Sequence, residues 1–247
     1  MNKMSFKNAL DAMITITGEE DPYNHSSIER RTTFVVEFLK KAYQVSFEGK
    51  RVLDLGAGNG GPLFWILLEE HAEHVVAVDR AKTRTDLMQK SVDRLALNNF
   101  EVINGDFVDL QHYENSFDIV IGMQILANPS PLPREYFEKS MSILKPGGIT
   151  FLNTRNFVAA QGSKIMSKGS QWLPFDMSWR AEHYYNNKVR EMRHRFSSPG
   201  YLSEAMEKSG FVDIRWAGAR ATNWQKGTRA RDAYLQNGIY IAGKRPL

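Results

Sequence analysis

Short runs of strand-forming apolar residues recur along this chain, each followed by a turn and then a stretch with helical spacing. Val52 to Leu55, His74 to Asp79, a run from Phe100 that ends at Gly105-Asp106-Phe107, Ser116 to Gly122, and Gly148 to Asn156 are the first five strand candidates. Helical spacing covers Pro62 to Leu68 and Asp86 to Leu97, the latter with Leu87, Met88, Ser91, Leu95 and Leu97 on its inner side. Lys145-Pro146-Gly147-Gly148 breaks a further helix and leads into the fifth strand. Near the end, Ser198-Pro199-Gly200 opens a helix that Gly210 stops, and Phe211 to Gly218 and Gly238 to Arg245 read as two last strands. This alternation predicts an α/β fold on a mainly parallel sheet.

Ahead of the first strand the pattern is helical. Residues 5 to 20 place Phe6, Leu10, Met13, Ile14 and Thr17 on one side, and Gly18 ends the run. After a turn-forming segment, Ser26 or Ser27 is expected to cap a second helix, with Phe34, Val35, Phe38, Leu39 and Ala42 as its buried stripe.

Composition narrows the class without naming a function. The 247 residues suffice for one α/β domain with an ample core, and there is no apolar run of membrane-spanning length. The first residues lack the apolar core and cleavage site of a signal peptide, so a cytoplasmic protein is expected. With no cysteine, disulfides and thiolate metal sites are excluded. The net charge of +4 is uneven: residues 180 to 247 carry 13 Lys/Arg against 6 Asp/Glu. Such a basic block reads either as a solvated face or as a surface for an acidic partner.

The densest chemical signal is Arg51 to Gly61, RVLDLGAGNGG, a strand running into glycines and then a helix. Glycines at this junction let the backbone turn with positive φ and let a ligand lie against it. Two spellings are open. Gly56, Gly58 and Gly61 fit the G-x-G-x-x-G of a dinucleotide fold, with Asp79 as the ribose acid. Asp54 with Gly56, Gly58 and Gly60 instead gives D-x-G-x-G-x-G, which resembles the first motif of the class I S-adenosylmethionine-dependent methyltransferases. The resemblance extends over residues 50 to 155 through Asp79, Asp106 and Lys145-Pro-Gly-Gly, in order and at ordinary spacing.

The resemblance implies a Rossmann-like, doubly wound, seven-stranded sheet, mostly parallel with an antiparallel C-terminal edge, in a single domain spanning 1–247. Residues 1–45 are expected as a helical lid, 50–155 as the cofactor core, 156–198 as an acceptor-specificity insertion, and 199–247 as the end of the sheet. It implies S-adenosylmethionine as cofactor, S-adenosylhomocysteine as product, and no metal. Asp54, Gly56, Ala57, Gly58 and Gly60 are then the cofactor loop, Asp79 with Arg80 the ribose end, and Asp106 with Phe107 the adenine end. Met123 flanks the cofactor, and in the lid Tyr23, Asn24, His25 and an arginine at position 30 or 31 (Arg31 foremost) are candidates to touch its carboxylate or the acceptor.

The acceptor side is read from residue types. Trp172, Asp176, Trp179 and Tyr184 in the insertion, with Gln124 after the fourth strand, combine aromatic faces and polar groups that suit a cationic or aromatic small molecule or a short peptide. The same rings also read as packing for the insertion. Trp224 is a further candidate for the pocket. A general base, where the acceptor needs one, is sought among His25, His183 and Tyr23. Nitrogen is slightly preferred over oxygen as the methylated atom. Met123 to Leu126 stands where base-modifying methyltransferases carry Asn/Asp-Pro-Pro-aromatic, and Gln124 offers no anionic metal ligand. An RNA methyltransferase using the basic C-terminal quarter, a catalytically silent cofactor-binding scaffold, and a nicotinamide oxidoreductase are the alternative readings. Nucleic acid is not the favoured partner, no membrane partner is expected, and oligomeric state is left open.

Overall fold

The computed structural model describes residues 6–7, 25–128, 131–156, 178–185, 188–197, 199–218 and 238–247; for 25–31, 155–156, 178–185 and 188–196 it describes the backbone only. The described helices are α1 (His25–Tyr43), α2 (Gly61–Leu68), α3 (Lys82–Arg94), α4 (Pro133–Ile143) and α5 (Pro199–Lys208). The described strands are β1 (Arg51–Leu55), β2 (His74–Asp79), β3 (Phe100–Asn104), β4 (Phe117–Gly122), β5 (Leu144–Asn156), β6 (Ser178–Tyr185), β7 (Lys188–Ser197), β8 (Val212–Gly218) and β9 (Gly238–Lys244). Strand order is β3-β2-β1-β4-β5-β7-β6, with β9 paired to β5 and to β8. Seven of these strands make the expected Rossmann-like sheet, and β8 and β9 form its antiparallel end. The antiparallel hairpin β6–β7 is additional and comes from the insertion.

The chain forms two compact units, 1–121 with 142–149, and 122–141 with 150–247. In the first, β1 lies between β2 and β4, parallel to both, with Leu53 opposite Val76 on one side and Val120 on the other. Val52, Leu53, Val75, Val76, Ile119 and Val120 are fully buried, as continuous apolar strands are when both sheet faces are covered. Phe6 is buried against Trp65 of α2, ring centroids 5.0 Å apart, and its amide donates to Glu69 Oε1 at 2.7 Å. The rest of the helix expected over 5 to 20 lies outside the described residues.

Several boundaries differ from expectation for identifiable reasons. Because α1 already begins at His25, Ser26 and Ser27 are inside it and are not its caps. Its stripe is Val35, Val36, Phe38 and Leu39, while Phe34 and Ala42 are only half-buried. Helix α3 runs from Lys82 to Arg94 and not from Asp86 to Leu97. Its first turn is held by Asp79 Oδ1, which accepts from the Ala81 amide at 2.9 Å, and Ala96 at φ 50° takes the chain out of the helix before Leu97. Strand β5 starts at Leu144, so Pro146-Gly147-Gly148 lies inside it, with Gly147 at φ 77°.

Lys145 has a structural task in the first unit. Its Nζ donates to Asp118 Oδ2 at 2.8 Å, and the same oxygen accepts from the Arg51 amide at 3.0 Å, joining β1 and β4 to the start of β5. Burial pushes the Asp118 carboxyl up, but these two hydrogen bonds and the charges of Lys145 and Lys50 outweigh it and hold the group below its usual range. The folded state therefore binds fewer protons than the unfolded chain, and the contribution, present above the ordinary carboxylate range, is lost as pH falls through the folded value. Asp118→Ala is expected to cost about 1 kcal/mol at neutral pH, allowing for screening at the half-exposed Lys145. Urea melts at neutral and acid pH should show the difference between variant and parent shrinking on acidification.

Candidate functional site

The first three strands end in register, Leu55 beside Val78 and Asp79 beside Asn104, so the segments that follow them gather on one edge. In an open α/β sheet that carboxyl edge is where ligands bind. The loop after β1 turns with Gly56, Gly58 and Gly60 at φ 72°, 61° and 78°. Gly61 does not share this conformation; it is the first residue of α2 and is buried. The backbone thus demands glycine at the alternate positions of D-x-G-x-G-x-G, and Gly61 serves helix packing.

The loop is fastened by its own hydrogen bonds. Gly56 and Ala57 amides donate to Val78 O at 2.8 and 3.0 Å, Gly58 N to Asp79 Oδ2 at 2.8 Å, and Gly60 N to Ala57 O at 2.9 Å. Asp79 therefore spans two turns, since its other oxygen holds Ala81 N at 2.9 Å. It is 8% exposed, with Arg84 Nη1 3.9 Å from Oδ2. A carboxylate has lone pairs beyond these two bonds, so the expected ribose role is compatible with the structural one.

Beyond β3, Asp106 caps a short 3-10 turn over Phe107–Asp109, accepting from Phe107 N at 2.7 Å while Asp109 Oδ2 accepts from Asp106 N at 2.8 Å. Arg80 Nη1 lies 3.4 Å from Asp106 Oδ2 and so links the second and third turns. Phe107 is buried, and Val108 is the half-exposed residue beside it. Sequence reading missed Asn104, whose side-chain amide donates to Asp79 O at 3.1 Å and Arg80 O at 3.3 Å. An amide side chain at the carboxyl end of a parallel strand was the available signal.

In the second unit, Met123 is half-buried and Gln124 is exposed after β4, with Gln124 in the left-handed region at φ 64°. The Gln124 backbone N–H donates to Oδ1 of Asn153, a buried residue of β5 that the sequence did not single out. Trp179, His183 and Tyr184 fall on β6, and His25 and Arg31 on α1, where backbone alone is described. Tyr23, Asn24, Trp172, Asp176 and Trp224 lie outside the described residues. Among the described residues there is no group of three or more His, Cys, Asp or Glu able to hold a metal ion, and no helix long and apolar enough to cross a membrane.

Residues 46–197 match the family model described as "Methyltransferase domain". The chain belongs to this family. The methyltransferase domain is 32% identical over 170 residues to a ubiquinone biosynthesis O-methyltransferase of Coxiella burnetii, covering 68% of this chain and 65% of that protein. Its fold matches an S-adenosylmethionine-dependent methyltransferase of Mesorhizobium loti at TM-score 0.60 and 18% identity, over 88% of this chain and all of that one. It also matches phosphoethanolamine N-methyltransferase 2 of Haemonchus contortus, solved with S-adenosyl-L-methionine, at TM-score 0.63 and 15% identity, over 100% of this chain and 58% of that one.

Asp54 is the residue that the methyltransferase loop leaves unsatisfied. It is 1% exposed, and its Oδ1 has no hydrogen-bond partner. Burial pushes its carboxyl well above the usual range, and the charge of Asp79 adds to the push. A buried acceptor without a donor behind a glycine turn fits a ligand that brings a donor. Because the fold favours the protonated form, its contribution is complete below the ordinary carboxylate range and is lost as pH rises through the folded value. Asp54→Asn should therefore melt higher than the parent at neutral pH, with the two converging in acid, while binding S-adenosylmethionine more weakly. Calorimetric melts across pH, with and without the ligand, check both parts.

Proposed function

We propose that this protein is an S-adenosylmethionine-dependent methyltransferase acting on a small molecule. The observation that carries the reading is the preorganised loop Asp54–Gly60, joined to Asp79 by the Gly58 bond and backed by a buried carboxyl whose Oδ1 has no partner. In this reading Asp79 holds the ribose, Asp106 the adenine amine, and the loop the amino-acid part. The bound cofactor supplies a sulfonium-activated methyl group for in-line transfer, leaving S-adenosylhomocysteine.

The chain's own contribution is chiefly orientation, which supplies about 7–11 kcal/mol in well-aligned systems. Trp172, Asp176, Trp179, Tyr184 and Gln124 remain the candidates to position the acceptor, and one of His25, His183 or Tyr23 to take its proton. The Coxiella relative is named an O-methyltransferase, which supports oxygen over the nitrogen preferred from sequence.

Calorimetric titration with S-adenosylmethionine, S-adenosylhomocysteine and NAD tests the cofactor. Binding of the two adenosyl ligands alone supports the reading. NAD binding in their place sinks it. A subsequent screen of phenols and amines separates oxygen from nitrogen acceptors.

A further inference from the structure

The opposite ends of the same strands enclose a second feature. A cavity of about 550 Å³ opens where β1 and β2 begin, lined by Arg51, Glu73, His74, Asn115, Ser116 and Lys145. Lys145 is committed to Asp118. Arg51 is not similarly committed: its guanidinium lies 5.4 Å from the Phe117 ring centroid and 5.8 Å from that of Tyr113, and among the described residues it has no carboxylate partner. Its Nε is buried with no acceptor, whereas His74 Nε2 in the same lining, though without a hydrogen bond, lies 3.6 Å from Glu101 Oε2.

On the tyrosine side Glu101 is already engaged, because it accepts from the Tyr113 hydroxyl. Burial and that bond push the hydroxyl up to about 12, so it remains a donor to Glu101. A guanidinium held over two aromatic rings, with an unmet N–H and no carboxylate partner among the described residues, is suited to pair with an oxyanion. Glu73 lines the cavity too, so a bare anion satisfies only part of the lining.

We infer that the amino ends of β1 and β2 form a second ligand site, for a small organic oxyanion with hydroxyl or ammonium groups. The carboxylate or phosphate head lies on Arg51, with the Asn115 amide assisting, and the donor groups face Glu73. The site is separate from the carboxyl-edge loop and does not depend on the methyltransferase reading.

Thermal melts in glycerol phosphate and in lactate, each against sodium chloride of equal ionic strength, test it. Either organic anion should raise the melting temperature of the parent saturably, and Arg51→Met should abolish the rise. A response to glycerol phosphate alone assigns a phosphate ester, and one to lactate alone a carboxylate. No rise beyond that in chloride, or a full rise in Arg51→Met, overturns the inference. Should Arg51→Met fail to fold, Asn115→Gly decides, because Asn115 sits at φ 52°, which glycine accepts. A weakened rise in Asn115→Gly supports the site, and an unchanged one overturns it.

Discussion

Asp79→Ala should lose S-adenosylmethionine binding and a substantial part of its stability together. The carboxylate is buried and holds one amide in each of two turns, Gly58 and Ala81. Hydrogen bonds to a charged group contribute about 1.5–3 kcal/mol each, and removing the acceptor leaves both donors facing a methyl group. A loss of about 3 kcal/mol is expected, tempered by relief of the Asp54 carboxyl, which the Asp79 charge disfavours. Donor affinity should fall by about 100-fold, equivalent to roughly 2.7 kcal/mol, because the proposed ribose contact and the loop shape would go at once. Asp106→Ala should weaken binding less, since its bonds shape only its own 3-10 turn and the Arg80 pairing. Calorimetry on both variants, with urea melts alongside, tests the order; equal and unchanged affinity in the two would remove the site from this edge.

The carboxyl edge was legible in the sequence because parallel strands in register deliver their last residues to one place. Asp54, Asp79 and Asp106 were singled out by the motif resemblance, and their places follow from the strand ends, since each strand is an apolar run bounded by turn residues. What escaped depends on contacts across the chain. The start of α3 is set by Asp79 and not by a capping side chain of its own, since Ala81 has none to offer. Gln124 is held by Asn153, 29 residues away, and no local pattern announces that pairing. The β6–β7 hairpin was hidden by its composition. Its strands, WRAEHYY and KVREMRHRF, are charged and aromatic, so they read as an acceptor pocket and a basic run, although they pair from Ser178–Arg195 to Tyr185–Lys188. The two turn-forming residues Asn186 and Asn187 between the runs were the available signal of a break.

The glycines of the loop divide into those that serve the fold and those that serve the ligand, and two alanine variants should separate them. A Cβ at Gly60 would stand 2.7 Å from Met88 Sδ and 3.2 Å from Phe64 Cε2. Met88 and Phe64 are fully buried, so the overpacking falls on core side chains. Left-handed strain of about 1–2 kcal/mol adds to overpacking of about 1–3 kcal/mol, so Gly60→Ala should lose about 2–5 kcal/mol. Its melting temperature should fall by roughly 5–15 °C in a chain of this size. At Gly58 the nearest atom to a Cβ is Arg84 Nη1 at 3.9 Å, so the space there is open and the cost is the left-handed strain alone, about 1–2 kcal/mol. In the proposed reading, that open space is the face on which the cofactor would lie. Gly58→Ala should accordingly melt only a few degrees below the parent while binding S-adenosylmethionine about 10- to 100-fold more weakly, a difference of roughly 1.4–2.7 kcal/mol. If Gly58→Ala bound the cofactor as well as the parent, the ligand would have to approach the strands from elsewhere, and the alternate glycines would be there only to turn the chain.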